Sequence, residues 1–442
     1  MSSGDARFEA VLSAAEAAAE EFQVPGFSVG VLADGEEHVA ARGITSVDNP
    51  LPVEPGTLFQ IGSITKTFGA TAAWRLVQEG VLDLDAPVRS YLPELRLADE
   101  DVARRVTARH LLTHTGGWVG DWFDDLGWGD DALAQTVAQL ERLPQLTPLG
   151  TLFSYNNAGF YVLGRVLEVV TGTTAEEAIA ARVTRPFGLE RTFSFPWEVM
   201  TERFVAGHVA GPAGPAVGRP WPVPRNAAAV GAIVSCVPDL LRYARTHMED
   251  VSLAPMREPI VETGIDDERM GLAWFLRDRG GMAFAGHGGA TLGQIAELAL
   301  APEKGLAVAV LTNHQLGGAV TLRALSTALE QFLGIETPEP EPIGLGADAL
   351  ELLAGRYEAA LTYVTLRPEH GGFLIEVESR GGFPKPDSPP LPSPPPSHAI
   401  VYAEDRVVAT DGPMRGARGR FVRADDGSID WFQFGRRLHR RV

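Results

Sequence analysis

The positions of the strand-like segments constrain the fold more than any other feature of the sequence. Two apolar runs, residues 27–32 and 38–42, are joined through Asp34-Gly35, a pair typical of a β-hairpin turn. A second predicted hairpin occupies residues 294–312 and is followed by a predicted helix. The sequence between the two hairpins is mainly helical. Strands from both ends of this segment can share one sheet, which predicts an α+β fold with an antiparallel sheet, flanking helices and a helical lobe.

A second unit is predicted after residue 335. Residues 336–347 include a proline-rich acidic stretch that is typical of a stiff linker. Seven short runs of alternating apolar and polar residues follow within 348–442, the last ending at Phe434, and they predict a small antiparallel β-barrel. Residues 384–396 are dominated by proline, which cannot pair within a sheet, so we expect an exposed loop there. The expected domains are 1–335 and 348–442, joined by the linker.

Composition limits the classes of partner. A net charge of −19 argues against binding to a nucleic-acid backbone or an anionic membrane surface. No run of about eighteen apolar residues occurs, so no membrane-spanning helix is predicted. The first residues lack the basic flank and apolar core of a signal peptide, which predicts a cytoplasmic location. The single cysteine, Cys236, is expected to be a small buried residue and cannot form an intrachain disulfide.

The candidate reactive segment is Ser63-x-x-Lys66, at the start of a predicted apolar helix that ends near Gly80. Positions three apart lie on one face of a helix, so the Lys66 amine is expected beside the Ser63 hydroxyl. Serine needs a base to become a nucleophile, and burial favours the neutral, basic form of lysine. Taken alone, the pair is more typical of a serine N-cap followed by a surface lysine.

Two further segments change this interpretation. The first contains Tyr155-Asn-Asn157, and the second is Gly286-His-Gly-Gly-Ala290. Together with Ser-x-x-Lys and the segment Leu111-Leu-Thr-His-Thr-Gly-Gly117, they resemble the motifs of serine penicillin-recognising enzymes in the class C β-lactamase branch. That branch also contains D,D-carboxypeptidases, D-aminopeptidases and esterases. The motifs occur in the family's order, and the resemblance covers about residues 5–335. It implies a β-lactamase/transpeptidase-like fold, followed here by a lipocalin-like barrel.

The resemblance implies a role for each catalytic residue. Ser63 would attack a carbonyl carbon and form an acyl-enzyme. Lys66 and Tyr155 would share the transfer of protons, with Tyr155 acting as base, as acid to the leaving group, or as both. His287 would lie opposite Tyr155, where it would support that transfer or contact the substrate. Without the resemblance, Tyr155 is typical of a core aromatic residue and His287 of a turn residue.

The resemblance also implies a binding role for neighbouring groups. Asn157 would orient Lys66 and hydrogen-bond a substrate amide. The backbone N–H groups of Ser63 and Ala290, the latter following Gly289, would form an oxyanion hole. No cofactor is expected. His110 and His114 lie four residues apart but lack an evident third ligand, so no metal site is predicted.

The residue at the head of the glycine triplet separates the members of this branch. β-Lactamases have lysine where this chain has His287, and histidine is mostly neutral near pH 7. This difference, together with the barrel, favours a peptidase or amidase that acts on a small molecule or a short peptide, including peptides with D-residues. The alternatives are a carboxylesterase and a weakly active or non-catalytic penicillin-binding protein. The sequence leaves homo-oligomer formation open.

A segment rich in aromatic and acidic residues, 118–128, is expected to line the cleft. The carboxylates in and just after this segment form a predicted acidic rim that would attract the free amine of a substrate. The members of this rim are Asp121, Asp124, Asp125, Asp130 and Asp131.

Overall fold

The computed structural model describes residues 5–336 and 338–442. Its helices are α1 (Ala6–Glu21), α2 (Thr65–Gln78), α3 (Glu100–Arg105), α4 (Ala108–Leu112), α5 (Ala132–Val137), α6 (Asn157–Thr171), α7 (Ala175–Ile179), α8 (Pro196–Val199), α9 (Val237–Glu249), α10 (Gly318–Leu333) and α11 (Ala347–Leu353). Among the described residues, none of these helices is both long enough and apolar enough to cross a membrane.

The strands form two main groups. Before the linker they are β1 (Gly26–Ala33), β2 (Glu36–Gly43), β3 (Phe59–Gln60), β4 (His208–Gly211), β5 (Gly214–Val217), β6 (Val234–Ser235), β7 (Val261–Glu262), β8 (Arg269–Met270), β9 (Phe275–Arg279), β10 (Met282–Thr291), β11 (Gln294–Ala301) and β12 (Leu306–Thr312). After it they are β13 (Gly355–Glu358), β14 (Thr362–Glu369), β15 (Gly372–Ser379), β16 (Ser397–Ala403), β17 (Arg406–Ala409), β18 (Arg418–Arg423), β19 (Ile429–Phe434) and β20 (Arg437–Arg441).

The main sheet is built from both ends of the first 335 residues, as predicted. Its strand order is β2-β1-β12-β11-β10-β9-β8-β7, and β1 pairs antiparallel with β12 from Phe27 opposite Thr312. Helices α1 and α10 pack on one face of the sheet, while α2, α6 and α9 belong to the core on the other face. Both faces of β1 and β12 are therefore covered, which explains why these strands are apolar and buried along their whole length.

The start of α2 differs from the prediction in one respect. Ser63 is not the N-cap, because a short 3₁₀ turn at Gly62–Ile64 precedes α2 and the cap position falls on Ile64. Gly62 has φ +50°, a conformation that favours glycine. The Ser63 side chain is therefore not used to cap the helix.

Strand β10 passes very close to this turn. A Cβ on Gly289 would lie 1.9 Å from the carbonyl oxygen of Ile61 and 3.1 Å from the backbone nitrogen of Ser63. A Cβ on Gly62 would lie 2.6 Å from the backbone nitrogen of Ala290. The two glycines therefore allow the backbones of β10 and the Ser63 turn to come into direct contact.

The C-terminal part is a closed barrel with the strand order β13 to β20. Its interior is filled by aliphatic and aromatic residues, the aromatic ones including Tyr357, Phe373, Phe421 and Phe432. The sequence predicted seven strands, and residues 338–442 contain eight. The missed strand is β20, which pairs with both β19 and β13 and so closes the barrel. The proline-rich segment joins β15 to β16 and contains no strand, as predicted.

Replacing Gly289 tests this close approach. We expect Gly289→Ala to cost about 1–3 kcal/mol of unfolding free energy, because the added methyl group must displace β10 from the Ser63 turn. The same displacement should lower, at least about tenfold, the turnover that the motif resemblance leads us to expect. Thermal unfolding and steady-state kinetics measure the two effects. Gly346→Ala is the control, since no described atom lies within 4 Å of a Cβ at that position. Unchanged stability and turnover in Gly289→Ala would contradict the proposed contact.

Candidate active site

Three distant segments of the chain meet at one cleft of about 700 Å³. Ser63 comes from the turn before α2, Tyr155 from the residues just before α6, and His287 from β10. Lys66 lies in the first turn of α2, one helical turn after Ser63. The structure therefore brings together the four side chains that the sequence selected.

Lys66 is the most unusual of these residues, because it is 0% exposed and lysine is rarely fully buried. Its Nζ donates to Ser63 Oγ at 3.2 Å and to the carbonyl oxygen of Val230 at 2.7 Å. Burial lowers the pKa of Lys66 well below its usual value, and the positive charge of Arg437 makes a second, smaller contribution in the same direction. The lysine is therefore not at the surface, and its burial favours the neutral form of the amine, which is the form that can accept a proton from Ser63.

Tyr155 covers the other side of this pair. The Lys66 amine lies 5.0 Å from the centre of its ring. Burial raises the pKa of Tyr155 above its usual value, and the nearby Ser63 hydroxyl opposes this rise. The phenol oxygen is shielded from solvent and has no hydrogen-bond partner of standard geometry among the described residues. The protonated phenol is consequently available to donate a proton to a substrate or a leaving group.

His287 supplies a neutral ring rather than a cation. Its Nδ1 lies 2.5 Å from the carbonyl oxygen of Gly288, so this nitrogen carries the proton and donates. Burial lowers the pKa of His287 to about 3. The ring centres of His287 and Tyr155 are 6.0 Å apart. Nε2 is an unprotonated acceptor at the cleft, with no partner among the described residues.

The backbone around Ser63 offers candidate oxyanion donors. The close approach of Gly289 and Gly62 places the amide nitrogen of Ala290 against the Ser63 turn, and Gly289 and Ala290 both line the cleft. Two backbone N–H groups near one nucleophile match the arrangement that stabilises a developing negative charge on a carbonyl oxygen.

Asn157 lines the same cleft, but its predicted contact with Lys66 is wrong. Its Nδ2 donates to Asp121 Oδ1 at 2.6 Å, whereas the Lys66 amine bonds to Ser63 and Val230. The neighbouring Asn156 caps α6, with its Oδ1 accepting from the amide of Gly159 at 2.7 Å. Asn157 is therefore tied to a buried carboxylate beside the cleft.

The partner of that carboxylate comes from the barrel and was missed by the sequence analysis. Arg437, the first residue of β20, donates through Nε to Asp121 Oδ2 at 2.5 Å. Its guanidinium lies 4.8 Å from the centre of the Tyr155 ring and, with Arg436, lines the cleft. The barrel therefore contributes a partly buried cation to the site that contains Ser63.

Arg436 anchors the same turn of the barrel to the main sheet. Its guanidinium donates to Glu268 at 2.7 and 2.9 Å and lies 3.9 Å from the centre of the Phe275 ring. Burial would raise the pKa of Glu268, but Arg436 and Arg277 lower it to about 2. The carbonyl oxygen of Arg436 accepts from the amide of Tyr155 at 2.8 Å. The position of Tyr155 therefore depends directly on the barrel.

The predicted acidic rim does not exist as a free negative surface. Most of its carboxylates have a cationic or polar partner, and only Asp124 and the aromatic Phe123 beside it line the cleft. The pairs are Asp121 with Arg437, Asp125 with Lys385, Asp130 with Arg225, and Asp131 with Gln135. Three of the five carboxylates are therefore paired with a cation within the chain, and the rim carries less free negative charge than the sequence predicted.

The segment 118–128 lines the cleft only in part. Trp118 is a core residue, and Trp128 packs against Trp197 outside the cleft. Phe123 packs edge-on against Phe383 of the barrel, with ring centres 4.9 Å apart. The wall of the cleft at this point is thus shared between the two parts of the chain.

The two histidines considered as metal ligands have structural roles. His114 stacks on Tyr155 with ring centres 4.4 Å apart, and its Nδ1 accepts from the amide of Asn156 at 3.0 Å. His110 belongs to the cap of α4, where it contacts Thr107. His114 therefore helps to position Tyr155.

Comparison with known proteins places these observations in context. A family model described as Beta-lactamase matches residues 12–331, which include all three motif segments. The chain is 33% identical over 369 residues to penicillin-binding protein 4 of Amycolatopsis lactamdurans, covering 76% of this chain and 94% of that protein. It is 37% identical over 164 residues to esterase EstB of Burkholderia gladioli, covering 34% of this chain and 41% of that protein.

A solved structure extends the likeness through the barrel. The crystal structure of SurE with D-Leu matches with a TM-score of 0.72 and 26% sequence identity. The match covers 99% of this chain and 100% of SurE. The combination of the sheet, the helical lobe and the C-terminal barrel is therefore shared with a protein of known structure.

The charges around Lys66 predict that two variants will shift the pH dependence of activity in opposite directions. Arg437 lowers the pKa of Lys66 and Asp121 raises it. We expect Arg437→Met to move the acid limb of the kcat/KM profile to higher pH, and Asp121→Asn to move it to lower pH. Each shift should be on the order of one pH unit or less. The pH dependence of hydrolysis measures both.

The control for these two variants is Arg89→Met, which removes an ion pair with Glu100 away from the cleft. Its profile should match that of the unmodified chain. Shifts of the same sign in Arg437→Met and Asp121→Asn, or no shift in either, would contradict the proposed electrostatic control of Lys66.

Proposed function

The chain belongs to the beta-lactamase family, and from this premise we propose that it is a serine hydrolase that forms an acyl-enzyme on Ser63 and cleaves small amide or peptide substrates. The observation that carries the proposal is the fully buried Lys66 amine, 3.2 Å from the Ser63 hydroxyl. A neutral amine in that position is the base that a serine nucleophile requires.

The proposed reaction begins with attack of Ser63 Oγ on the substrate carbonyl carbon, while its proton passes to Lys66. The carbonyl oxygen becomes an oxyanion and accepts hydrogen bonds from the backbone N–H groups of Ser63 and Ala290. When the carbon–nitrogen bond breaks, Tyr155 gives its phenolic proton to the leaving amine and recovers a proton from Lys66. Water then attacks the acyl carbon, its proton enters the same relay, and Ser63 recovers its hydrogen.

The raised pKa of Tyr155 favours the role of proton donor and relay over that of a permanently ionised base. His287, with a pKa near 3, offers an acceptor at Nε2 and no positive charge. A substrate carboxylate would therefore find no cation at this position, which supports the preference for peptidase or amidase activity over β-lactamase activity.

The barrel supports the proposal that the substrates are small. Phe383 and residues 391–394 of the proline-rich loop line the cleft together with Ser63. Lys385 of the same loop pairs with Asp125 at 3.0 Å and so connects the loop to the opposite wall. A cleft closed on this side accommodates a short chain better than a polymer. The D-leucine named with the SurE structure supports including peptides with D-residues among the candidate substrates.

Carboxylesterase activity is the second candidate function. The local identity to esterase EstB favours it, and the same acyl-transfer groups cleave esters more easily than amides. Matched p-nitrophenyl esters and p-nitroanilides with one acyl group would separate the two activities. A third candidate is a weakly active penicillin-binding protein, as the name of the Amycolatopsis lactamdurans relative suggests. The buried Lys66 and the adjacent Tyr155 argue against it.

The proposed nucleophile is tested with a panel of L- and D-peptide amides, simple esters and a chromogenic cephalosporin. We expect a fluorophosphonate to label the chain and amides to be cleaved, and Ser63→Ala to lose labelling and at least about 10³-fold in kcat/KM. Ser13→Ala, at an exposed position in α1, is the control and should be unaffected. Labelling that persists in Ser63→Ala would contradict the proposal, while cleavage of esters alone would favour the esterase.

The role of the proline-rich loop in substrate size is tested with Phe383→Ala. Removing this ring should widen the cleft where it contacts Phe123, and the ratio of kcat/KM for a bulky to a small acyl group should rise about tenfold. Trp197→Ala, which removes an exposed aromatic contact outside the cleft, is the control and should leave the ratio unchanged. An unchanged ratio in Phe383→Ala would show that the loop does not limit substrate size.

A further inference from the structure

A group of possible metal ligands lies on the barrel, away from the residues that line the catalytic cleft. Glu369 and His370 are at the turn between β14 and β15, and His398 is on the neighbouring strand β16. The ligand atoms of these three side chains all lie within 4.8 Å of one another. The pairing of β15 with β16 brings them together, although His398 is 28 residues further along the chain than His370.

The hydrogen bonds of His398 determine which nitrogen is available. Its Nδ1 lies 2.7 Å from Asp411 Oδ2, and its backbone amide donates to Asp411 Oδ1 at 2.7 Å. Because a carboxylate only accepts, Nδ1 carries the proton. In the neutral ring, Nε2 then has a free lone pair. A carboxylate that fixes the tautomer of a histidine in this way is the usual companion of a metal-binding imidazole.

The lone pair of His398 faces a second carboxylate. Nε2 lies 3.2 Å from Glu369 Oε2, which is shielded from solvent and has no hydrogen-bond partner of standard geometry among the described residues. Two acceptors at this distance repel one another unless a positive charge lies between them. Either a proton on Nε2 or a metal ion would satisfy both atoms.

His370 provides a third nitrogen at the same place. Its Nδ1 lies 3.9 Å from Glu369 Oε1, and the ring centres of His370 and His398 are 6.0 Å apart. The residue has φ +50° in a tight turn with Gly371. Its side chain is 81% exposed and therefore free to rotate toward the other two ligands. A small rotation would complete a set of two nitrogens and one carboxylate oxygen.

We propose that Glu369, His370 and His398 bind a divalent transition-metal ion of the zinc type, with Asp411 positioning His398. Two imidazoles and one carboxylate are a ligand set that Zn²⁺ binds with tetrahedral geometry, with water as the fourth ligand. The existing separation of 3.2 Å between His398 Nε2 and Glu369 Oε2 matches that between two ligands bound to one ion at about 2.0–2.1 Å.

The position of the site indicates what a bound ion would do. Strands β15 and β16 are joined by only three residue pairs in the described ladder, from Phe373–Ala399 to Ile375–Ser397. The proline-rich loop separates the same two strands in the sequence. An ion bound by the β14–β15 turn and by β16 would stabilise this short pairing between β15 and β16. The site therefore stabilises the barrel and takes no part in hydrolysis.

The test uses the full-length chain without an affinity tag, after treatment with EDTA. Calorimetric titration with Zn²⁺ should show one saturable site, and Co²⁺ should give the visible absorption of a tetrahedral complex. His398→Ala and Glu369→Gln should each weaken binding at least about tenfold, and Asp411→Asn should weaken it by a similar factor. Excess Zn²⁺ should raise the melting temperature of the unmodified chain by several degrees, and the rise should be lost in His398→Ala.

The control is His38→Ala, which removes a histidine that also lies near a carboxylate, 3.8 Å from Asp5, but without a second histidine. Its affinity for Zn²⁺ should be unchanged. Absence of a saturable site, or equal affinity in the unmodified chain, His398→Ala and Glu369→Gln, would overturn the proposal. So would an NMR titration in which the His398 ring gains a proton between its two carboxylates and does not respond to Zn²⁺.

Discussion

The structure depends on a buried amine that has no carboxylate directly beside it. The Lys66 Nζ bonds to a hydroxyl and to a backbone carbonyl, neither of which carries a compensating negative charge. A protonated amine would lose its hydration without a paired anion, at a cost of several kcal/mol, so the neutral form is favoured. The rings of Tyr155 and Phe160, 5.0 and 5.4 Å away, exclude water from the amine. The packing of α2 against α6 thereby creates the environment of the amine that we propose as the base.

The barrel is part of the site rather than an appendage to it. Arg436 accepts the backbone hydrogen bond of Tyr155, and Arg437 pairs with Asp121, which in turn holds Asn157. These contacts all come from the turn between β19 and β20, so they exist only when β20 closes the barrel against β13. The geometry of the site therefore depends on closure of the barrel. We expect the free energies of unfolding of the two parts of the chain to be coupled.

Local patterns in the sequence were sufficient for the sheet and for α2, because these elements follow from periodic runs. The four side chains Ser63, Lys66, Tyr155 and His287 were selected through the resemblance of their motifs to a known family. Local patterns were not sufficient for β20, whose sequence, Arg437 to Arg441, is mostly charged and shows no apolar alternation. Its assignment requires the knowledge that seven strands leave a barrel open. The pairing of the acidic rim was missed for a related reason, because the cation that pairs with Asp121 lies 316 residues away in the sequence. A single sequence does not show the structure of a segment when that structure depends on contacts with residues far away in the chain.

The charge of Arg437, from the barrel, can be compared with the absence of a charge at His287 in the third motif. A lysine in place of His287 would put a positive charge close to Lys66 and would lower its pKa by repulsion. His287 has a pKa near 3 and gives no such charge. Here the positive charge comes from the opposite wall, where Arg437 lowers the pKa of Lys66 while Asp121 limits the effect. Burial makes the largest contribution to the lowered pKa of Lys66, and the two opposing charges adjust that pKa by the difference between them. The loss of a cation at 287 and the presence of one at 437 are therefore consistent with a single electrostatic requirement, namely an amine that remains unprotonated beside the nucleophile.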